Sequence, residues 1–126
     1  MARKLSETVL DFAAPLLSSL GPSPDQAQLR NALSIAIAAW NAATLDAWKP
    51  GTTAEADSVR RSLQTAAGAD PAPMLALFDG LLERKLTLFA GDLRAVGKWE
   101  VIPAEQGFSL SADGYLPTAL LQNAKA

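Results

Sequence analysis

At 126 residues, 49% apolar and 19% charged, the chain is sized and composed for one globular core rather than for disorder. It holds no cysteine and no histidine, which excludes disulfides, thiolate chemistry and any nucleophilic triad whose base is an imidazole of this chain. The net charge of −2 is spread over scattered basic residues, so no field draws in phosphates and no nucleic-acid partner is expected.

Leu5, Val9, Phe12, Ala13, Leu16, Leu17 and Leu20 recur at helical spacing opposite Glu7, Asp11 and Ser18, which predicts a first helix over about 5–20. Ser6 or a neighbour is its candidate cap, and Gly21 before Pro22 its stop. Pro15 falls inside the pattern, where it withholds one backbone donor and crowds the preceding turn, so a kink is expected. The basic start ahead of this apolar run has the outline of a signal peptide. Glu7 and Asp11 interrupt it, however, and no small-residue cleavage site follows, so a cytoplasmic protein is expected.

A second helix is predicted over about 24–48, beginning near Ser23 or Asp25 with Pro24 in its first turn and ending before Lys49-Pro50-Gly51. Leu29, Leu33, Ala36, Ile37, Trp40, Ala43 and Ala47 form one apolar face. Ile35, Ala38, Ala42 and Leu45 form another, almost opposite, the pattern of a helix covered on two sides. The uncharged stretch 31–45 is too short to span a bilayer and contains Ser34, Asn41 and Thr44, so no membrane association is expected.

Thr52 with Glu55 three residues on is a capping-box signature, opening a third helix over about 53–67. Its stripe of Ala56, Val59, Leu63 and Ala66 is narrow, and Asp57 and Arg61 sit four apart on the outer face, the pattern of a surface element. A fourth helix is predicted over about 71–90, between Asp70-Pro71 and Gly91. Met74, Leu75, Leu77, Phe78, Leu81, Leu82, Leu86, Leu88 and Phe89 give it the broadest apolar face. Gly80 on its other flank marks a place for another backbone to pass.

The period then changes from helical to two. Trp99 and Val101, then Phe108, Leu110 and Ala112, alternate with polar residues and predict a hairpin over about 96–113. Pairing Val101 with Phe108 and Trp99 with Leu110 puts the large apolar groups on one face, with residues 103–107 as the connection. Such a hairpin is marginal alone and must lay that face on the helices. The tail 117–126 is left as a short helix or a frayed end. The fold class is therefore α+β, predominantly α: a single domain over 1–126, with a four-helix core and a C-terminal antiparallel β-hairpin packed on it.

Lys85 is the sharpest anomaly, because it projects from the middle of the face made by Phe78, Leu81, Leu82 and Phe89. In one reading its stem packs while its ammonium reaches the last carbonyls of its own helix. In the other it is a buried lysine with a carboxylate partner, Asp46, Asp92 or Glu100, beside a ligand cavity. Arg84, Lys85, Arg94 and Lys98, with Asp92, either grip an anion or form an internal network at the corner between helix and hairpin. Asn41, beside Trp40 in the most apolar helix, is a candidate to hold a neighbouring loop or to orient a ligand. Trp40 and Trp48 read as core or rim residues rather than stacking platforms. Asp79 and Glu83 lie four apart on an outer face and form the one candidate acid–base pair, with no nitrogen ligand to complete a metal site. No catalytic residue, metal or cofactor is expected.

Ala38-Ala39-Trp40-Asn41, then Glu83-Arg84-Lys85 followed by Leu88-Phe89, Asp92, Arg94 and Trp99-Glu100-Val101, resemble the corresponding segments of a set of small uncharacterised bacterial proteins. The resemblance implies a bacterial protein without an assigned activity, and transfers no catalytic residue. The leading expectation is a non-enzymatic protein-interaction or accessory module, self-associating or bound to a protein partner. The alternative is a small anionic-ligand binder or enzyme organised around Lys85 and Arg94.

Overall fold

The computed structural model describes residues 4–21, 25–49, 54–67, 70, 72–104 and 107–117. Four helices, α1 (Leu5–Ser18), α2 (Gln26–Trp48), α3 (Ala54–Ala67) and α4 (Ala72–Leu88), precede two antiparallel strands, β1 (Ala95–Ala104) and β2 (Gly107–Tyr115). The fold is α+β, mostly α, with the hairpin against the helices.

α2 is the centre. It touches α1, α3, α4 and β1, as its two apolar faces require. Asp25 caps it reciprocally with Gln28: the Asp25 carboxylate accepts from Gln28 N at 2.8 Å, and Asp25 N donates to Gln28 Oε1 at 2.9 Å. Ser23 and Pro24, the other expected start signals, lie outside the described residues. Around α2 the core is built from Val9, Phe12, Leu33, Ala36, Trp40 and Phe78, none of which keeps any exposure. Burying each of the large ones stabilises the fold by about 1.5–3 kcal/mol.

α1 starts at Lys4 without a side-chain cap, so Ser6 does not serve that role. It ends through Gly21, whose φ of +90° is the left-handed turn that a glycine permits. Pro15 lies inside it. α3 begins in an unforeseen way. The Asp46 carboxylate, from the last turn of α2, accepts from Glu55 N at 3.0 Å and Ala56 N at 3.1 Å, capping a helix to which it does not belong. Thr52, the expected cap, lies outside the described residues. Asp57 meets Arg60, three residues on, rather than Arg61, and Ala66 is exposed instead of completing the stripe.

The inward face of α4 is narrower than its sequence suggests. Phe78, Leu81 and Lys85 are buried and Leu82 and Phe89 partly so, whereas Leu77, Leu86 and Leu88 stay exposed. One helix buries a stripe about 100° wide, and these three leucines fall on its two flanks. Gly80 is exposed with nothing near it, so no backbone passes there.

The hairpin register is Val101 with Leu110 and Trp99 with Ala112, two residues away from the expected pairing. The slip is even, so the same side chains still face inward. Ala104 pairs with Gly107, and the connection is correspondingly shorter than expected. Between Val96 and Trp99 the ladder is irregular: Gly97 and Lys98 stand opposite Asp113 alone, a β-bulge. The extra residue carries Val96 onto the face of Trp99 and Val101. Pro117 is buried, and the remainder of the tail lies outside the described residues.

Candidate functional site

The residues singled out in the sequence meet at one place, the corner where α4 turns into β1. From Phe89 to Arg94 the chain has no regular structure, and beyond the bond from Asp92 N to Phe89 O at 3.0 Å its carbonyls need partners from elsewhere. α2 and α4 supply them with side chains. Lys85 Nζ donates to Phe89 O at 2.8 Å and to Asp92 O at 2.7 Å. Trp48 Nε1 donates to Leu93 O at 2.8 Å, and Trp40 Nε1 to Arg94 O at 2.7 Å. Asn41 pairs with Val96 as a neighbouring strand would, donating from Nδ2 to its carbonyl at 2.9 Å and accepting its N–H at 2.7 Å.

Lys85 is 2% exposed. Its ammonium lies 4.5 Å from the centre of the Trp40 ring, within cation–π range. Trp40, Phe12 and Phe89 form a triangle of edge-to-face rings, 5.2 to 5.8 Å between centres, that walls off this amine. Burial pushes the Lys85 ammonium below its ordinary pKa, and the nearby Asp92 charge opposes that shift. The acceptors on Lys85 are carbonyls of its own corner. Of the three carboxylates considered as partners, Asp46 caps α3, Glu100 is exposed on β1, and Asp92 contributes its carbonyl and its field.

Asp92 and Arg94 form the ion pair of the corner. Arg94 Nε donates to Oδ1 at 3.0 Å and a terminal nitrogen to Oδ2 at 2.6 Å, while Arg94 N donates to the same carboxylate at 3.1 Å. Burial pushes the Asp92 carboxyl up, but the Arg94 hydrogen bonds and charge outweigh this and leave it below its ordinary range. The same carboxylate raises Arg94.

Arg84 turns away from the corner towards α1. It donates from Nε to Phe12 O at 3.0 Å and from a terminal nitrogen to Asp11 O at 2.9 Å, with its guanidinium 5.6 Å from the Phe89 ring centre. Asp11 O is the carbonyl whose helical donor would be residue 15, and Pro15 has no N–H. Arg84 thus supplies the donor that the proline withholds. Lys98, the fourth basic candidate, is exposed in the bulge.

The structure therefore gathers Trp40, Asn41, Lys85, Asp92 and Arg94, and sets Arg84 beside them on a different task. Sequence reading missed Gln26, whose Nε2 donates to Val101 O at 2.9 Å, and the remote cap by Asp46. A glutamine at a helix start carries no signal of that contact. A cavity of about 520 Å³ opens at the corner between Thr8, Phe89, Asp92, Leu93, Arg94 and Leu116, and Lys85 does not line it. An adjoining space of about 570 Å³ shares Arg94 and Leu116 and adds Tyr115. Asp79 and Glu83 are exposed, and Asp79 is paired with Arg60. Among the described residues no group of three or more acidic side chains is placed to hold a metal ion, and no helix is long and apolar enough to cross a membrane. No protein-family model, curated protein or solved structure matches the chain.

Proposed function

We propose that the protein is a non-enzymatic interaction module whose partner is a protein, with a second copy of this chain as the first candidate. What supports this reading is how the corner uses its polar groups. The Lys85 amine, the Trp40 and Trp48 indoles and the Asn41 amide are committed to the backbone, and Arg94 to Asp92. Around this closed network Leu93, Tyr115 and Leu116 remain 41%, 49% and 54% exposed, and they line the two cavities that share Arg94. Exposed apolar groups rimmed by satisfied polar ones fit contact with another protein better than chemistry. A bacterial origin is read from the family resemblance.

Anion binding by Lys85 and Arg94 has less support, because the first lines neither cavity and the second is already held by a carboxylate. Size-exclusion chromatography with light scattering, on the purified protein at high concentration and on the same protein in an extract of its host, tests the proposal. Elution above the monomer mass in either is the expected result. A clean monomer in both sinks it.

A further inference from the structure

Each strand of a two-stranded sheet has one edge that its partner does not cover, and an open row of N–H and C=O groups is a template for another strand. On β1 that edge is partly taken, at Val96 and Val101. Asn41 occupies both polar groups of Val96, and Gln26 takes the Val101 carbonyl. Pro103, with no N–H to present, stands at the following outward position, and the bulge at Gly97–Lys98 bends the same edge.

These bonds also fix which groups face outward on β2. Val96 and Val101 turn their polar groups away from β2, so their partners Gly114 and Leu110 turn theirs away from β1. By alternation Ala112, opposite Trp99, and Phe108, opposite Pro103, do the same. Among the described residues no hydrogen bond reaches this outer row. From Phe108 to Tyr115 the strand has no proline, lysine or bulged residue, and Asp113 is its one charge. One edge of the hairpin is guarded and the other is not.

We infer that the outer edge of β2 pairs antiparallel with the same edge of a second copy, about a twofold axis at Ser111. The result is a continuous sheet in the order β1-β2-β2-β1. This rests on the reading of the protein as an interaction module and names its contacting surface. The strand's own sequence selects a second copy in this register. Centred on Ser111, the ladder sets Leu110 opposite Ala112 of the second copy and Phe108 opposite its Gly114, so each large inward side chain meets a small one. α1 lies against β2 and its Leu5 side chain already covers Gly114, where a Cβ would lie 2.7 Å from it, so Phe108 of the second copy packs beside Leu5 rather than over the glycine. On the outer face Ser111 meets its own equivalent and Ser109 meets Asp113, so no like charges are opposed. A ladder centred on Leu110 would set leucine on leucine and lose the pairing of Phe108 with Gly114. The pairing is isologous and closed, as a twofold dimer requires.

The chain has no cysteine, which makes a crosslinking test clean. In the proposed dimer the two Ser111 residues form a non-hydrogen-bonded pair with Cα atoms about 4.5 Å apart, within disulfide reach. Mild oxidation of S111C gives a covalent dimer, whereas S109C, exposed on the same face but off the axis, stays uncrosslinked. S111K faces Glu100 within its own hairpin, so the monomer keeps its circular dichroism spectrum. It also sets two like charges together at the axis and weakens the dimer about tenfold or more by light scattering. Equal crosslinking of S111C and S109C, or a dimer that persists in S111K without an S111C crosslink, overturns the edge pairing and leaves the interaction reading standing. Purified protein that stays monomeric but joins larger complexes in extract does the same.

Discussion

Lys85 holds two carbonyls of the corner, and its worth lies in what it leaves behind when removed. In K85M the Asp92 carbonyl loses its charged donor at 2.7 Å, Phe89 O loses one at 2.8 Å but keeps Asp92 N at 3.0 Å, and the Trp40 ring loses its cation. A buried acceptor without a partner costs about 1–3 kcal/mol, partly offset because a charge no longer has to be buried. K85M is expected to destabilise by about 2 kcal/mol in urea unfolding; a variant as stable as wild type or more so would show that the cation adds nothing. Asp92 gives the matching acid prediction. Its folded pKa lies below its ordinary value of 3.8, so its contribution is present above 3.8 and is lost as pH falls through the folded value. Unfolding midpoints should show D92N less stable at pH 7, with the gap closing under acid; a gap independent of pH refutes the assignment. Lys85 stood out in the sequence because a charge at the centre of an apolar stripe breaks the pattern. Its partners did not, because they are carbonyls, which every residue carries.

At the scale of elements, α1 and α4 are joined by a repair. Pro15 removes the donor that would reach Asp11 O, and Arg84 supplies another from a separate helix. A double-mutant cycle isolates this. R84M alone is expected to cost about 1.5 kcal/mol. P15A returns an N–H to the turn, and in that background the same change should cost roughly half as much, a coupling of about 0.5–1 kcal/mol. Strict additivity in chemical denaturation would show that the arginine and the proline act independently. The proline announces a vacant carbonyl in the sequence but not which arginine answers it. The hairpin register escaped for a related reason. Alternation of apolar and polar residues fixes parity, and the observed pairing of Val101 with Leu110 has the same parity as the expected one with Phe108. The order of elements was legible throughout, since each helix has punctuation in Gly21, Pro50-Gly51, Gly68 or Gly91. The width of the α4 face was not, because leucines on its flanks count equally in a pattern whether or not a neighbour covers them.

Across the whole molecule, one face of α2 holds the hairpin. Gln26, Trp40, Asn41 and Trp48 share an arc of about 100° on that helix, and they reach Val101, Arg94, Val96 and Leu93 in turn. From Gln26 to Trp48 the partner number falls from Val101 to Leu93, with Trp40 and Asn41 reaching Arg94 and Val96 between, so α2 and the chain from Leu93 to Val101 run antiparallel, joined by side chains where a third strand would use its backbone. An isolated hairpin is marginal in water, so these contacts, with the inward faces of Val96, Val101 and Leu110, decide whether the sheet stays docked. Asn41 offers the sharpest test, because one side chain satisfies both polar groups of Val96. N41A should cost about 2 kcal/mol, and the loss should fall unevenly. The α1 and α2 amides sit within the core and open only with the whole fold, whereas β1 and β2 can detach as a unit. Hydrogen exchange in N41A is therefore expected to quicken roughly tenfold or more across 95–115, with a smaller change in α1 and α2. Uniform acceleration over the whole chain would instead mean that hairpin and helices unfold as one body, and that the α2 face is one support among many rather than the hinge on which the sheet depends.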